Sequence, residues 1–321
     1  MGEKNIRTAI NFFLLGFQNI SKYRTVIFIF ILASYTLTII IDLFIIQLVS
    51  TRKCFSSPMY FFLKNFLYSE LLVVTLIVPN MLRVIWLKGA TMSIPVCIAQ
   101  SYLYCASAST ECYLLAAMAY DRYLAICKPL HYNNMMGKNL QHNLVVFCWV
   151  FGILLTLITL YLLCQLNFCG PNTINHYFCD LAPIVELACS DTSVIQTEIL
   201  VLSVPIIVTP FISVVTRYIY ILTAILGMSS VMGRKKAFST CSSHLSVVGM
   251  FYGTLVIIYV VPSKGQLQSV NKVISVLYTV VTPLFNPFIY SIRNQDIRGA
   301  ISTLRIIKWF KTRSRPLKTR W

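Results

Sequence analysis

The sequence predicts an all-α membrane protein: a seven-transmembrane helical bundle with a short amphipathic cytoplasmic helix after the seventh span. Three observations carry this. Of 321 residues, 57% are apolar and only 12% charged, too little polar surface to clothe a soluble chain of this size. The apolar residues gather into seven stretches: roughly Thr25–Val49, Tyr60–Ile85, Val96–Ala119, Leu144–Cys164, Ile199–Ile225, Ala237–Val261 and Ser269–Ile292. Each reaches the roughly 20 residues that cross a bilayer. The basic residues sit in the intervals and the tail, and orientation explains that placement better than a nucleic-acid partner does, despite the +17 net charge. The chain divides into an extracellular N-terminus (1–24), one membrane domain (25–293) and a cytoplasmic helix with a basic tail (294–321).

The apolar patch Ile10–Phe17 is short and lies behind a mixed-charge stretch, so it is not a cleavable signal peptide. The first span serves as an uncleaved signal anchor. Asn19-Ile20-Ser21 is a glycosylation sequon a few residues ahead of it. Spans one, two and three each hold an acid: Asp42, Glu70 and Glu111. A charge at a helix centre costs about 2.5–3.5 kcal/mol on insertion scales, so these residues are expected to face the bundle interior. Converging acids would bind a cation or retain protons; the plainer reading is a satisfied hydrogen-bond partner.

The third span runs into Met118–Cys127, MAYDRYLAIC, where Asp121 and Arg122 are neighbours. An ion pair is tolerated at a membrane boundary, so the segment reads as a cytoplasmic helix end carrying a polar latch. A plain interfacial anchor accounts for Arg122 alone but not for the whole string. The sixth span is the weakest, because its first turns hold Ser239, Thr240, Ser242, Ser243 and His244. The seventh ends in Pro283–Tyr290, PLFNPFIY. Two prolines free backbone carbonyls and kink the helix, and Asn286 is expected to satisfy one of them. Beyond Arg293-Asn294-Gln295-Asp296, the residues Ile297, Ala300, Ile301, Leu304 and Ile307 recur at helical spacing among basic residues. That pattern predicts a helix lying on the inner leaflet, with the basic tail meeting anionic lipid.

With the N-terminus outside, the cytoplasm receives Arg52, Lys53, Lys128, Lys138, Arg234, Lys235, Lys236 and the tail. The outside takes Lys88, Lys264, Lys272 and most soluble acids, including Asp180, Glu186 and Asp191. The reverse topology would export the basic tail, against the positive-inside rule. Cys97, Cys169, Cys179 and Cys189 then fall in outer loops. An even number in an oxidising compartment implies two disulfides, with three pairings open. His176, Cys179 and Asp180 have a loosely metal-like spacing, but a disulfide would consume the thiolate.

At this point the residues resemble vertebrate odorant (olfactory) receptors, within the rhodopsin-like G-protein-coupled receptors. The likeness runs through Leu14–Phe17 (LLGF), Pro58–Leu63 (PMYFFL), Met118–Tyr132 (MAYDRYLAICKPLHY), Lys236–Leu245 (KAFSTCSSHL), Phe251–Thr254 (FYGT) and Pro283–Asn294 (PLFNPFIYSIRN). It implies disulfides Cys97–Cys179 and Cys169–Cys189. It implies that Arg122, held by Asp121 beside Tyr123, is released on activation to engage a stimulatory heterotrimeric G protein and raise cyclic AMP. Tyr218, His244, Asn286, Pro287 and Tyr290 would rearrange with it. No cofactor is required; sodium is a candidate allosteric ion at Glu70, Glu111 and Asn286, with Asp42 brought close. The chain departs from the family pattern at Ile41-Asp42 (usually Gly-Asn), Glu70 (usually Asp) and Arg217 (commonly Ser).

The resemblance also implies a ligand pocket between helices three, five, six and seven. Counting back from Asp121 gives Tyr104, Cys105, Ala108 and Ser109. The fifth helix offers Leu202, Ser203 and Ile206, the sixth Tyr252, Leu255 and Tyr259, the seventh Tyr278 and Thr279. This lining suits a small, mostly apolar volatile with one hydrogen-bonding group. Tyr104 stands where an amine receptor would want a carboxylate, and Val280 where an opsin would need its lysine. The implied location is the plasma membrane of olfactory neuron cilia, with an export chaperone as a further candidate partner. The competing readings are an orphan chemosensory receptor for a non-odorant molecule, and a channel or transporter. Absent internal repeats argue against the last. A membrane enzyme would need a nucleophile–base or metal cluster at workable spacing, and none is present.

Overall fold

A computed structural model describes residues 10–18, 22–52, 55–170, 172–260, 268–293 and 297–303. Asn19, the side chain of Tyr259 and the tail from 304 onward, with Leu304 and Ile307, lie outside the described residues. Seven long helical rods are present among them. They are α1 (Arg24–Thr51), α2 (Pro58–Leu87), α3 (Ile94–Cys127), α4 (Lys138–Cys164), α5 (Ser193–Leu226), α6 (Val231–Val260) and α7, built from Gln268–Val276, Leu277–Val281 and Thr282–Arg293.

Five of these are both long and apolar enough to cross a membrane, with spans Arg24–Thr51, Pro58–Leu87, Lys138–Cys164, Ser193–Leu226 and Lys272–Ser291. α3 reaches the length but is more polar, and α6 gathers its polar residues in its first turns. α3 is the central rod of the bundle and packs on α2, α4 and α5. Its polar residues Gln100, Ser101, Ser107, Thr110 and Glu111 are buried against other helices, which is how a spanning helix tolerates them. α6 begins six residues before the expected span and carries Arg234, Lys235 and Lys236 in its first turns. α3 likewise outruns its apolar stretch by two turns, so Asp121 and Arg122 are helical.

The ring closes through α1 on α2, α5 on α6, α6 on α7 and α7 on α1. Gly152 permits the close approach of α4 to α3: a Cβ there would meet the Thr110 hydroxyl at 2.6 Å and the Thr110 backbone nitrogen at 3.0 Å. α5 and α7 each contain a π turn, Val204–Val208 and Leu277–Val281. Such turns rotate everything after them by a fraction of a turn relative to a continuous α-helix. In α7 the turn immediately precedes Pro283, and Pro287 lies inside the following segment. Among the described residues Asn286 is not paired with a freed carbonyl; its amide donates across the bundle to Glu70.

One end of the bundle is covered by a small sheet that the sequence did not announce. β1 (Asn11–Leu14) lies between β2 (Ala90–Ser93), antiparallel, and β3 (Thr173–Ile174), parallel. Phe12 and Leu14 point inward and are fully buried, while Asn11 and Phe13 face out, the period-2 alternation of a one-sided strand. Gly16, at φ +61°, turns the chain away from the sheet, and a Cβ there would strike Val84 at 2.5 Å. At the opposite end, residues 297–303 are helical, with Ile297 and Ala300 buried.

Candidate functional site

A cavity of about 290 Å³ opens beneath the sheet, between α3, α4, α5, α6 and α7. The four α3 residues reached by counting back from Asp121 (Tyr104, Cys105, Ala108 and Ser109) all line it, as do Leu202, Ser203, Ile206, Leu255 and Tyr278. Tyr252 and Thr279 do not. The Tyr252 ring packs against Phe211 at 4.9 Å, and its neighbour Phe251 faces the cavity instead. Thr279 donates to the Ser275 carbonyl at 2.8 Å and lies 3.0 Å from the Tyr177 hydroxyl. Thr279 is thereby turned to the loop, while Tyr278 faces the cavity.

Sequence reasoning missed the α4 wall and the loop roof. Thr156 and Thr159 line the cavity from α4; Asp180, Leu181 and Ala182 close it from the loop. The α4 signal was present: Gly152, Thr156 and Thr159 fall at i, i+4 and i+7 on an otherwise apolar helix. The loop residues are held there by the disulfide Cys97–Cys179, with Cα atoms 5.4 Å apart. A second bridge joins Cys169 to Cys189. Asp180 caps the short helix Leu181–Glu186 by accepting from the Leu181 N–H at 2.8 Å. Burial pushes its carboxyl up, opposed by that hydrogen bond. At His176, Cys179 and Asp180 the Cys179 sulfur is committed to the bond with Cys97.

The loop is fastened to one face of α7. Lys272 donates to the Gly16 carbonyl at 2.7 Å and to Asn175 Oδ1 at 2.5 Å. His176 Nε2 lies 3.2 Å from the Ser275 hydroxyl, and Tyr177 meets Thr279. Lys272, Ser275 and Thr279 follow at i, i+3 and i+7, one helix face. Burial, with the Lys272 charge nearby, lowers His176 to about 3, so this imidazole is neutral.

Deeper in the bundle lies a polar core. Asp42, Glu70, Glu111 and Asn286 are all buried. Asn286 Nδ2 donates to Glu70 Oε1 at 2.7 Å. Among the described residues, both Asp42 oxygens, Glu70 Oε2, Glu111 Oε1 and Asn286 Oδ1 have no hydrogen-bond partner. Unpartnered hard oxygens suit an alkali cation, and Glu70 and Asn286 offer two side by side. No three His, Cys, Asp or Glu groups among the described residues close around one point.

At the far end, Arg122 Nη2 lies 3.7 Å from Asp121 Oδ2, and the Tyr132 hydroxyl donates to Asp121 Oδ1 at 2.7 Å. Both members of the pair are buried. Tyr218 from α5 and His244 from α6 meet at 2.6 Å. Tyr290 is buried in an edge contact with Phe66 at 6.4 Å, and Tyr123 packs near Tyr220 at 5.9 Å. Arg217 stacks over Tyr120 at 5.0 Å and donates to the Ser213 carbonyl at 3.0 Å.

A seven-helix bundle with a lidded cavity at one end and a buried Asp–Arg pair at the other defines the rhodopsin-like receptor class. The crystal structure of squid rhodopsin superposes with a TM-score of 0.68 over 86% of this chain and 78% of that one, at 17% identity, a likeness of fold. The profile of the olfactory receptor family matches residues 28–308. Human olfactory receptor 11L1 is 43% identical, with 94% of each chain covered. Human olfactory receptor 11A1 is 44% identical over 95% of this chain and 96% of that one. Mouse olfactory receptor 1M1 is 41% identical over 95% and 97%. The chain belongs to the olfactory receptor family, a family of multi-pass membrane receptors and not of enzymes.

Proposed function

We propose that this protein is an odorant receptor that binds a small, mostly apolar volatile from the extracellular side and activates a stimulatory heterotrimeric G protein, raising cyclic AMP. The observation that carries this reading is the pairing of two sites on one rod. α3 lends Tyr104, Cys105, Ala108 and Ser109 to the cavity and Asp121 and Arg122 to the opposite end. A ligand that favours one packing of α3 against α5, α6 and α7 thereby biases the Arg122 end.

In this reading the sheet and disulfides face outward and the C-terminus is cytoplasmic, in keeping with the charge placement. The site of action is the plasma membrane of olfactory neuron cilia; membrane lipid meets the basic tail, and an export chaperone assists delivery. Arg122 is held by Asp121 at rest. Tyr123, Tyr218, His244, Asn286, Pro287 and Tyr290 repack when it is released. No cofactor is required. Sodium acts as an allosteric ion held by the free oxygens of Glu70 and Asn286, with Asp42 and Glu111 adding negative charge.

The test is an odorant panel on the full-length receptor, read as cyclic AMP, with Arg122→Ala as control. The expected result is a dose-dependent rise abolished by the substitution at matched surface expression. A response that survives Arg122→Ala removes Arg122 from coupling, and ion flux without G protein would favour a transporter.

A further inference from the structure

We propose that the cavity selects ligands that donate a hydrogen bond, such as alcohols and phenols, over matched ligands that only accept one. This rests on the receptor reading above and names the ligand class for that same site.

Free protons are scarce on the cavity wall. Every aliphatic hydroxyl there has already spent its proton inside the protein. Ser109 donates to the Cys105 carbonyl at 2.7 Å, Thr156 to the Gly152 carbonyl at 2.9 Å, and Ser203 to the Leu200 carbonyl at 2.6 Å. Thr159 donates to Glu198 Oε1 at 2.7 Å. A hydroxyl carries one proton and two lone pairs, so each of these groups can still accept but not donate. The Tyr278 hydroxyl is paired with Tyr104. Among the described lining residues there is no Lys, Arg or His. What remains as donors is the Tyr104 proton and the weak thiols of Cys105 and Cys112.

Acceptors are in surplus. Asp180 lines the cavity with only one oxygen engaged, by the Leu181 N–H. Glu198 lies behind Thr159, outside the cavity lining, and holds the Thr159 proton on Oε1, so the Thr159 oxygen presents only lone pairs to the cavity. Both carboxyls stand close enough to Cys105 to act on it electrostatically. A ketone or ether oxygen entering this site surrenders its water hydrogen bonds and meets lone pairs. An alcohol brings the missing proton and satisfies an acceptor that otherwise stays unpaired. A site built to pair one polar group discriminates strongly against the analogue lacking it.

The experiment uses the full-length receptor in cells and three matched probes: a heptyl alcohol, the methyl ketone of equal carbon number and the corresponding methyl ether. Cyclic AMP dose–response curves are compared with those of Thr159→Val, which removes an accepting oxygen from the cavity wall, and Asp180→Asn, which gives the roof side chain protons of its own. The expected result is a half-maximal concentration at least about tenfold lower for the alcohol, narrowing in at least one variant. A ketone or ether as potent as the alcohol overturns the inference, as does a ratio unchanged in both variants. If acceptor-only members of a wider odorant panel activate while the alcohol series is silent, the inference fails and the receptor reading stands. Silence across the whole panel removes both.

Discussion

The Tyr218 hydroxyl lies 2.6 Å from Nδ1 of His244, joining α5 to α6 one layer away from Arg122. The two rings are nearly parallel, 18° apart, and both residues are buried. Tyr218→Phe removes the hydroxyl and leaves a buried imidazole nitrogen without that partner, at a cost of about 1–3 kcal/mol to this packing. On the proposed function, in which this packing keeps Arg122 against Asp121, basal cyclic AMP should rise several-fold in Tyr218→Phe at matched surface expression. A basal signal equal to that of the parent would show that the contact does not restrain the cytoplasmic end.

Asp42 is the carboxyl this chain adds to the polar core, and neither of its oxygens finds a partner among the described residues. Asp42→Asn removes a carboxyl that Glu70 and Glu111 both face electrostatically. Thermal stability of the purified receptor should increase, by about 1 kcal/mol, and the stabilisation conferred by sodium should weaken. The proposed role of Asp42 is wrong if basal activity and its sodium and pH dependence are all unchanged.

His176 gives the loop roof an acid sensitivity with a defined sign. Its value falls from 6.5 to about 3 on folding, so the unfolded state binds the proton first. The stability it contributes is complete above about pH 6.5 and is lost as the pH falls toward 3. Between about pH 7 and about pH 5 the loss is about 2 kcal/mol. Thermal unfolding measured across that window should show the decline, and His176→Gln should flatten it. An equally steep acid limb in the variant would assign the effect to another group.

Lys272 is the fastener of the lid, and Lys272→Met keeps the stem while deleting the amine. The Gly16 carbonyl then loses its 2.7 Å donor. Amide hydrogen exchange at β1 should accelerate by about tenfold or more, the factor that corresponds to about 1.4 kcal/mol of opening free energy. Exchange at mid-bundle amides such as those of α3 should not change. Equal acceleration everywhere would indicate global destabilisation and not release of a lid.

The seven rods were legible because apolar runs of bilayer length dominate the chain, and the α3 cavity stripe because an uninterrupted helix keeps its phase from Asp121 back to Tyr104. The expected lining failed on α7 at Thr279, which lies in the π turn Leu277–Val281 and faces the loop. It failed at Tyr252, which packs on Phe211 while Phe251 takes the cavity. The sheet stayed hidden because its strands are two to four residues long and far apart in the chain. No local propensity signal is strong enough to announce such pairing.

What the sequence alone determined is the solvent each segment meets: composition, apolar run length and charge placement decide which residues enter a membrane and which remain in water. The family, and with it the Asp121–Arg122 pair and the two disulfides, was also readable, because those motifs are contiguous strings. Only the tertiary structure decided which polar atoms are left without partners. Asn286 turned to Glu70 instead of its own backbone, Thr159 spent its proton on Glu198, and Lys272 reached across 256 positions to Gly16. Hydrogen-bond satisfaction depends on distances between residues remote in sequence, so it is fixed only when the helices have packed.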